Sequence, residues 1–446
     1  MGTYADKKAR LIADLAMAGG EPAIGLAKPT SNLFRDRKSR PAPKVNLNGF
    51  NEVIRVNRAA GVVESEGMTT YADLVDATLK HGAMPAIVPQ LKSITLGGAV
   101  AGVGIEASSY RCGLVHEAID SLEVLTGDGR ILVCTPDNAH RDLFYGFPNS
   151  YGTLGYALSV TTRLVPVKRF VRLEHVRYTD AHVLFADVAR HCAERQLDFL
   201  DGTVFAPREL YLTLGSFRDA APYVSDYTFE NIFYRSIRER PTDYLGIHDY
   251  LWRWDTDWFW CSSNVYAQYP LVRRLLGKKR LNSITYQRIM RWNSRWGVTR
   301  ALQRLRGLHS ESVIQDVDIP IDRAAEFLAF LHAEIGIRPI WICPIKAPDA
   351  TARFTLYPLR AGTVHINFGF WDTVVERAAH PPGFRNRKVE RKVAELGGVK
   401  SLYSDSYYTE EEFWSTYDRS AYAALKARYD PANRLPDLYA KCVLRH

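Results

Sequence analysis

Four glycines, Gly97, Gly98, Gly102 and Gly104, fall within eight residues of the run Thr95–Ser109, TLGGAVAGVGIEASS. Glycine loses more backbone freedom on folding than any other residue, so such a stretch needs a specific return. One return is a nest of backbone N–H groups turned toward an anion, for which a diphosphate is the natural ligand. A glycine-lined packing turn is the plainer alternative. A third reading takes Gly102-Val103-Gly104-Ile105-Glu106-Ala107 as the GxGxxA fingerprint of a doubly wound dinucleotide fold. That fingerprint follows a strand and opens a helix. Leu96-Gly97-Gly98-Ala99 makes a poor strand, and Ser108 to Gly113 makes a poor helix start. The doubly wound reading is therefore set aside, and a diphosphate lying close to backbone is expected.

The flanking sequence has clear local signals. Residues 4–18 carry Leu11, Ile12, Leu15 and Ala16 at helical spacing. Val53–Val56 and Gly61–Glu64 read as short strands. Thr70 can cap a helix over Tyr71–His81, with Asp73 in its first turn and Gly82 as the stop. In SLEVLTGDGRILVCTP two β-type runs flank Gly127-Asp128-Gly129, a hairpin signal. A second glycine loop, Gly152-Thr153-Leu154-Gly155, precedes a strand through Val165. Composition shifts after about residue 170 toward Tyr, Trp, Phe and Arg.

At 446 residues the chain suits two or three domains of about 100–200 residues each. No apolar run approaches the ~18–20 residues of a membrane span, and no signal-peptide core opens the chain. The six cysteines are scattered without CxxC spacing and the histidines form no HxH or HExxH pattern. Reduced thiols and the absence of a metal site are expected. The net charge of +9 gathers in Arg35–Lys44, Arg273–Arg280, Arg288–Arg306 and Arg385–Lys392. Such clusters suit anionic partners; no nucleic-acid motif accompanies them, so no nucleic-acid partner is expected.

The segments TLGGAVAGVGIEASSYRCGL, EVLTGDGRILVCTP, DLFYGFPNSYGTLGY and the strand into RLVPVKRFV resemble the FAD-binding domain of the vanillyl-alcohol-oxidase-type (PCMH) flavoproteins. RPIWICPI (Arg338–Ile345), SLYSDSYYTEEEFW (Ser401–Trp414) and LPDLYAKC (Leu435–Cys442) are similar to stretches of the sterol side-chain reductases of that family. The resemblance covers nearly the whole chain, most firmly 85–170 and 335–442. It implies an α+β fold: a two-subdomain FAD-binding domain over 1–170, a cap or substrate domain with an antiparallel sheet flanked by helices over 171–395, and a C-terminal segment, 396–446, returning to the flavin. By position, Thr95, Gly97, Gly98, Gly102, Gly104, Ile105 and Ser108 would line the diphosphate and ribityl chain. Lys28, Pro29, Thr30 and Ser31 would form the other diphosphate loop, and Gly152, Thr153 and Gly155 would flank the adenine. KPTSN stands where many relatives have a run of glycines. It holds no His or Cys to tether the flavin, and Cys112 replaces an aromatic residue of the sterol enzymes, so non-covalent FAD is expected. NADPH is the implied reductant. It has no binding signature of its own here, which suits transient binding over the flavin.

The resemblance implies reduction of an isolated C=C bond, which takes a hydride at one carbon and a proton at the other. Candidate proton donors are Tyr407 and Tyr408, with Asp405 and Glu411 beside them; Thr409 can equally cap a helix with Glu411 and Glu412 in its first turn. A second cluster, HDYLWRWDTDWFW, contributes His248 and an aromatic wall for an apolar substrate. Trp341 and Cys343 read as sheet core. Residues 284–308 mix Ile, Met, Trp and Leu with arginines, which suits a helix on an anionic membrane surface or a basic-faced cap helix. The expected setting is the cytoplasm, with peripheral contact at the inner face of the membrane. The expected substrate is a methylene-branched fatty acyl chain of a phospholipid. A sterol side chain is the alternative, and an FAD-dependent alcohol or sugar oxidase the second alternative.

Overall fold

The computed structural model describes residues 2–17, 25–27, 34–35, 44–296, 299, 303 and 305–445. The loop residues Lys28, Pro29, Thr30 and Ser31 lie outside the described residues. Two antiparallel sheets carry the molecule, and a parallel pair, β1 (Gly25–Ala27) and β2 (Lys44–Asn46), lies beside the first.

The first sheet contains β3 (Val53–Asn57), β4 (Val62–Glu66), β5 (Ala83–Pro85), β6 (Ile119–Leu125), β7 (Ile131–Cys134) and β8 (Tyr156–Pro166). Its order is β3-β4-β8-β6-β7, with β5 also on β8. The β6–β7 hairpin closes at Gly129, whose φ is +87° and whose N–H donates to the Thr126 carbonyl. Thr70 caps the helix Tyr71–Leu79 by accepting from Asp73 N–H. An antiparallel sheet excludes the doubly wound arrangement directly, since that fold needs parallel strands with crossover helices.

The second sheet opens where the composition changes. It contains β9 (Phe170–Tyr178), β10 (Phe199–Ala206), β11 (Glu209–Arg218), β12 (Thr242–Gly246), β13 (His309–Pro320), β14 (Ile340–Ile345), β15 (His365–Glu376) and β16 (Val399–Lys400). The order is β12-β9-β11-β10-β14-β15-β13-β16. Helices Ala181–Glu194, Ala324–Phe330 and Phe384–Glu395 cover one face with an apolar core of their own. The other face of β13–β15 turns toward the first sheet.

The glycine run departs from expectation. Leu96–Gly102 is a short helix, not an extended nest. Thr95 caps it, its Oγ1 accepting from Gly98 N–H at 3.3 Å, which offsets the poor helix propensity of the glycines. Val103, at φ 60°, ends it.

Candidate active site

A cavity of about 630 Å³ lies between the two sheets, inside the ~300–1,000 Å³ range of cofactor and ligand sites. One wall is the glycine run: Thr95, Gly97, Gly98, Gly102, Gly104, Ile105 and Glu106 all line it. Gly152, Gly155, Tyr156 and Ala157 add the start of β8, and Lys44, Arg434 and Lys441 bring positive charge from β2 and the C-terminal segment. The facing wall is Ser312, Ile314 and Asp316 of β13, Trp341 of β14, and Trp371 to Thr373 of β15. Ser312, Ile314 and Asp316 alternate along β13, so one face of the strand supplies all three. Trp258 and Phe259 complete the aromatic side, with φ angles of 44° and 61°. Bulky residues rarely adopt that region, and such strain concentrates at ligand clamps.

The glycines work differently from the sequence expectation. A Cβ on Gly97 would lie 2.9 Å from the Gly67 carbonyl oxygen and 3.0 Å from Ala157 Cβ. One on Gly104 would lie 2.6 Å from Val115 Cγ2, and one on Gly155 (φ +142°) 2.5 Å from the Leu125 carbonyl oxygen. The Gly67, Val115 and Leu125 contacts come from the layer behind the wall. Glycine lets the wall press onto the first sheet, and this keeps the chamber open in front. A Gly104→Val variant is therefore expected to lose about 1–3 kcal/mol by overpacking against Val115 and Pro89. Thermal unfolding of the flavin-free protein checks this: an unchanged midpoint with weakened FAD binding would mean the clash is with the cofactor instead.

A glycine-rich wall with lysines and an arginine at its edges fits an elongated diphosphate cofactor such as FAD. Ser108 and Thr153, expected at the cofactor, are off the wall. Ser108 Oγ donates to the Ala86 carbonyl at 2.7 Å, and Thr153 Oγ1 to the Ser150 carbonyl at 2.8 Å. Both hydroxyls are consumed in holding loops.

None of the expected proton donors reaches the cavity. Tyr407 packs over Gly383 and accepts from Arg445 at 3.0 Å. Tyr408 is core, edge-on to Phe413 and Tyr417. Asp405 faces Arg445 at 3.6 Å. Glu411 is exposed in the first turn of the helix Glu410–Thr416, which Thr409 and Glu412 close as a reciprocal capping box. His248 is on the surface, 3.6 Å from Asp76. What the HDYLWRWDTDWFW segment does supply to the wall is Trp258 and Phe259.

Among the described residues three acids line the cavity, Glu106, Asp316 and Asp372, and Asp316 is the one with a tyrosine hydroxyl on its carboxyl. Strand β16 pairs with Val317 and Asp318, and Ser401 N–H then donates to the Asp316 carbonyl at 3.1 Å. That path carries Tyr403 alongside the Asp316 carboxyl, to which its hydroxyl hydrogen-bonds. Trp371 Nε1 donates to the Tyr403 oxygen at 2.8 Å. Gly369 lies opposite Asp316 on β15, and a Cβ there would be 2.7 Å from Asp316 Oδ1 and 2.6 Å from the Trp371 ring. The missing side chain leaves room for both. Burial pushes the Asp316 carboxyl up to about 7, while the Tyr403 hydrogen bond pulls it down. Oδ1 has no hydrogen-bond partner among the described residues. A buried carboxyl half-protonated near neutrality is suited to general-acid work.

A buried ionic group runs from the wall residue Glu106 into the interior. Arg253 donates to Glu106 Oε1 at 2.8 Å and to Asp201 Oδ2 at 2.9 Å; Trp341 Nε1 also donates to Asp201, at 3.1 Å. Burial raises the Glu106 carboxyl and the Arg253 charge opposes it. The group joins the glycine run to β10 and to the 248–260 segment.

Comparison with known proteins agrees with this geometry. Residues 30–135 match the family model of the FAD binding domain. The Delta(24)-sterol reductase of Homo sapiens is 24% identical over 410 residues, covering 87% of this chain and 76% of that protein. A Delta(24)-sterol reductase homolog of Caenorhabditis elegans is 23% identical over 429 residues, covering 90% and 79%. Cytokinin dehydrogenase 7 of Oryza sativa subsp. japonica is 29% identical over 163 residues, covering 35% and 31%. The chain is thus an FAD-dependent oxidoreductase with a vanillyl-alcohol-oxidase-type FAD-binding domain, similar along most of its length to Delta(24)-sterol reductases.

Proposed function

We propose that the protein reduces an isolated C=C bond in a lipid of the sterol side-chain class, with FAD as cofactor and NADPH as reductant. The observation that carries this reading is Asp316, an acid held near neutrality on a cavity wall that also carries Trp341 and Trp371. The sterol side chain, an alternative on sequence grounds, is better supported than the methylene-branched acyl chain, because the full-length relatives are named for sterol reduction. Within the 248–260 segment, Trp258 and Phe259 line the cavity while His248 lies away from it, beside Asp76.

When bound, reduced FAD supplies the hydride. The chain's residues do the rest. Arg434 and Lys441, at the edge of the glycine wall, would hold the diphosphate. Trp258, Phe259, Trp341 and Trp371 exclude water and hold the apolar chain. An isolated alkene offers no oxyanion to stabilise, so the proton must come from a close, shielded acid. Asp316 gives its proton to one alkene carbon as the hydride arrives at the other. Tyr403 then stabilises the carboxylate left behind by donating to it.

The test supplies the FAD-loaded protein and NADPH with two substrates in separate vesicles or detergent: a sterol with a Δ24 side-chain double bond, and a phospholipid with a methylene-branched acyl chain. Mass spectrometry is expected to show a gain of two hydrogens in the sterol. Reduction of the acyl chain alone would refute the sterol reading.

A further inference from the structure

Residues 258–310 contain eleven lysines and arginines and no aspartate or glutamate. Within this stretch, large apolar side chains are turned outward. On the helix Pro270–Leu276, Leu271 is 70% and Leu275 75% exposed, and their four-residue spacing puts them on one face. Tyr266 and Tyr269, just before it, are exposed with their rings stacked 6.3 Å apart. On the helix Ser283–Trp296, Ile289 and Trp292 are exposed one turn apart, interleaved with exposed Arg288 and Arg291. Lys278, Lys279 and Arg280 are exposed in the turn between the helices.

This outward apolar surface is not a loosely attached segment. Arg273 is buried and bonds Asp257 Oδ1 at 2.6 Å and the Phe229 carbonyl at 2.7 Å. Ser283 Oγ donates to Asp255 at 2.6 Å, and the Tyr286 hydroxyl to the Thr256 carbonyl at 2.8 Å. The two helices are pinned to the core by their polar residues while Leu271, Leu275 and Trp292 face solvent. The same elements also reach the cavity. Cys261, Asn264 and Met290 line it, so the helix that shows Ile289 and Trp292 outside puts Met290 on the chamber wall.

We propose that this face, Tyr266–Trp292, seats the protein on an anionic phospholipid bilayer and lets a lipid pass between bilayer and cavity. Exposed Leu, Trp and Tyr enter the acyl–headgroup boundary, and the lysines and arginines meet lipid phosphates, each effect being additive with the other. Among the described residues no helix is long and apolar enough to cross a membrane, so attachment by this face is of the surface type. The exposed leucines argue against a nucleic-acid partner, which would take the charge but not the apolar side chains. The sequence expectation put the surface at 284–308. Residues 297, 298, 300–302 and 304 of that stretch lie outside the described residues, and the face proposed here adds the preceding helix and turn.

The purpose of this face rests on the proposed lipid function, but its test does not. The FAD-loaded protein is sedimented with vesicles of phosphatidylcholine alone and of phosphatidylcholine with about one-third phosphatidylglycerol. Binding is expected only to the anionic vesicles and to weaken with salt. The double variant Leu271→Asp/Leu275→Asp and the triple variant Lys278→Glu/Lys279→Glu/Arg280→Glu should each bind about tenfold or more weakly. Both should keep the flavin spectrum and the rate of flavin reduction by NADPH, since none of the five residues lines the cavity. Equal binding to neutral and anionic vesicles, or variants that bind like the parent, would overturn the proposal. So would a vesicle-independent dimer that Leu271→Asp dissociates, which would assign the face to a second copy. Vesicle binding without alkene reduction would sink the catalytic reading and leave this one standing.

Discussion

Replacing Asp316 by Asn is expected to lower the rate of alkene reduction by about 100-fold or more while NADPH still reduces the flavin at the parent rate. The substitution keeps shape and leaves Tyr403 a partner, so the change removes the acid and little else. Anaerobic stopped-flow absorbance separates the two half-reactions. The parent's alkene step should fall as pH rises through about 7, because burial sets the Asp316 carboxyl there and the reaction needs its proton. That limb should vanish in Asp316→Asn. In Tyr403→Phe it should move to higher pH, since the Tyr403 hydrogen bond is what pulls the Asp316 carboxyl down. An Asp316→Asn protein that reduces the alkene at the parent rate would exclude Asp316 as the donor.

The second large effect is on stability. Arg253→Leu leaves the carboxylates of Glu106 and Asp201 buried together without their shared cation. Breaking a buried ion group in this way costs about 3–5 kcal/mol, far more than the intact group contributes over an apolar replacement. The loss should be greatest at neutral pH. Burial raises the Glu106 carboxyl, and without the guanidinium the charge that opposes this rise is gone. Stability is then fully present below the unfolded carboxyl range of about 4 and is lost as pH rises through the raised folded value of Glu106. Adding Glu106→Gln and Asp201→Asn should restore much of it. Urea unfolding followed by tryptophan fluorescence reads all of these. A parent-like midpoint for Arg253→Leu at pH 7 would show that the pairing is dispensable.

What sequence alone could resolve was local. Thr70 with Asp73, the turn at Gly127-Asp128-Gly129 and the Thr409–Glu412 box each announce their structure within a few residues, and each forms. The change in composition near residue 170 coincides with the start of the second sheet at Phe170. The glycine run was visible, but its shape was not. Thr95 caps it into a helix, and the surfaces that require Gly97, Gly104 and Gly155 come from Gly67, Val115 and Leu125, elsewhere in the chain.

The acid was invisible for the same reason. Asp316 acquires its character from burial, from Tyr403 after β16 and from the room Gly369 leaves on β15, none of which is near it in sequence. One signal was present: Asp316 and Asp318 alternate in HSESVIQDVDIP, putting two carboxyls on one face of a strand that is otherwise fit for a core. Sequence singles out Tyr407 and Tyr408 in SLYSDSYYTEEEFW and passes over Tyr403. Tyr403 lines the cavity, while Tyr407 and Tyr408 are held by Arg445 and by Phe413 and Tyr417.

The most direct measurement is an anaerobic single turnover. Protein loaded with FAD is bleached by one equivalent of NADPH, then mixed with a sterol bearing a Δ24 double bond, and the flavin absorbance is followed while the sterol is recovered. The account predicts that the oxidised flavin spectrum returns with formation of an equal amount of the saturated side chain. A flavin that stays reduced until oxygen is admitted, with the double bond intact, would contradict it.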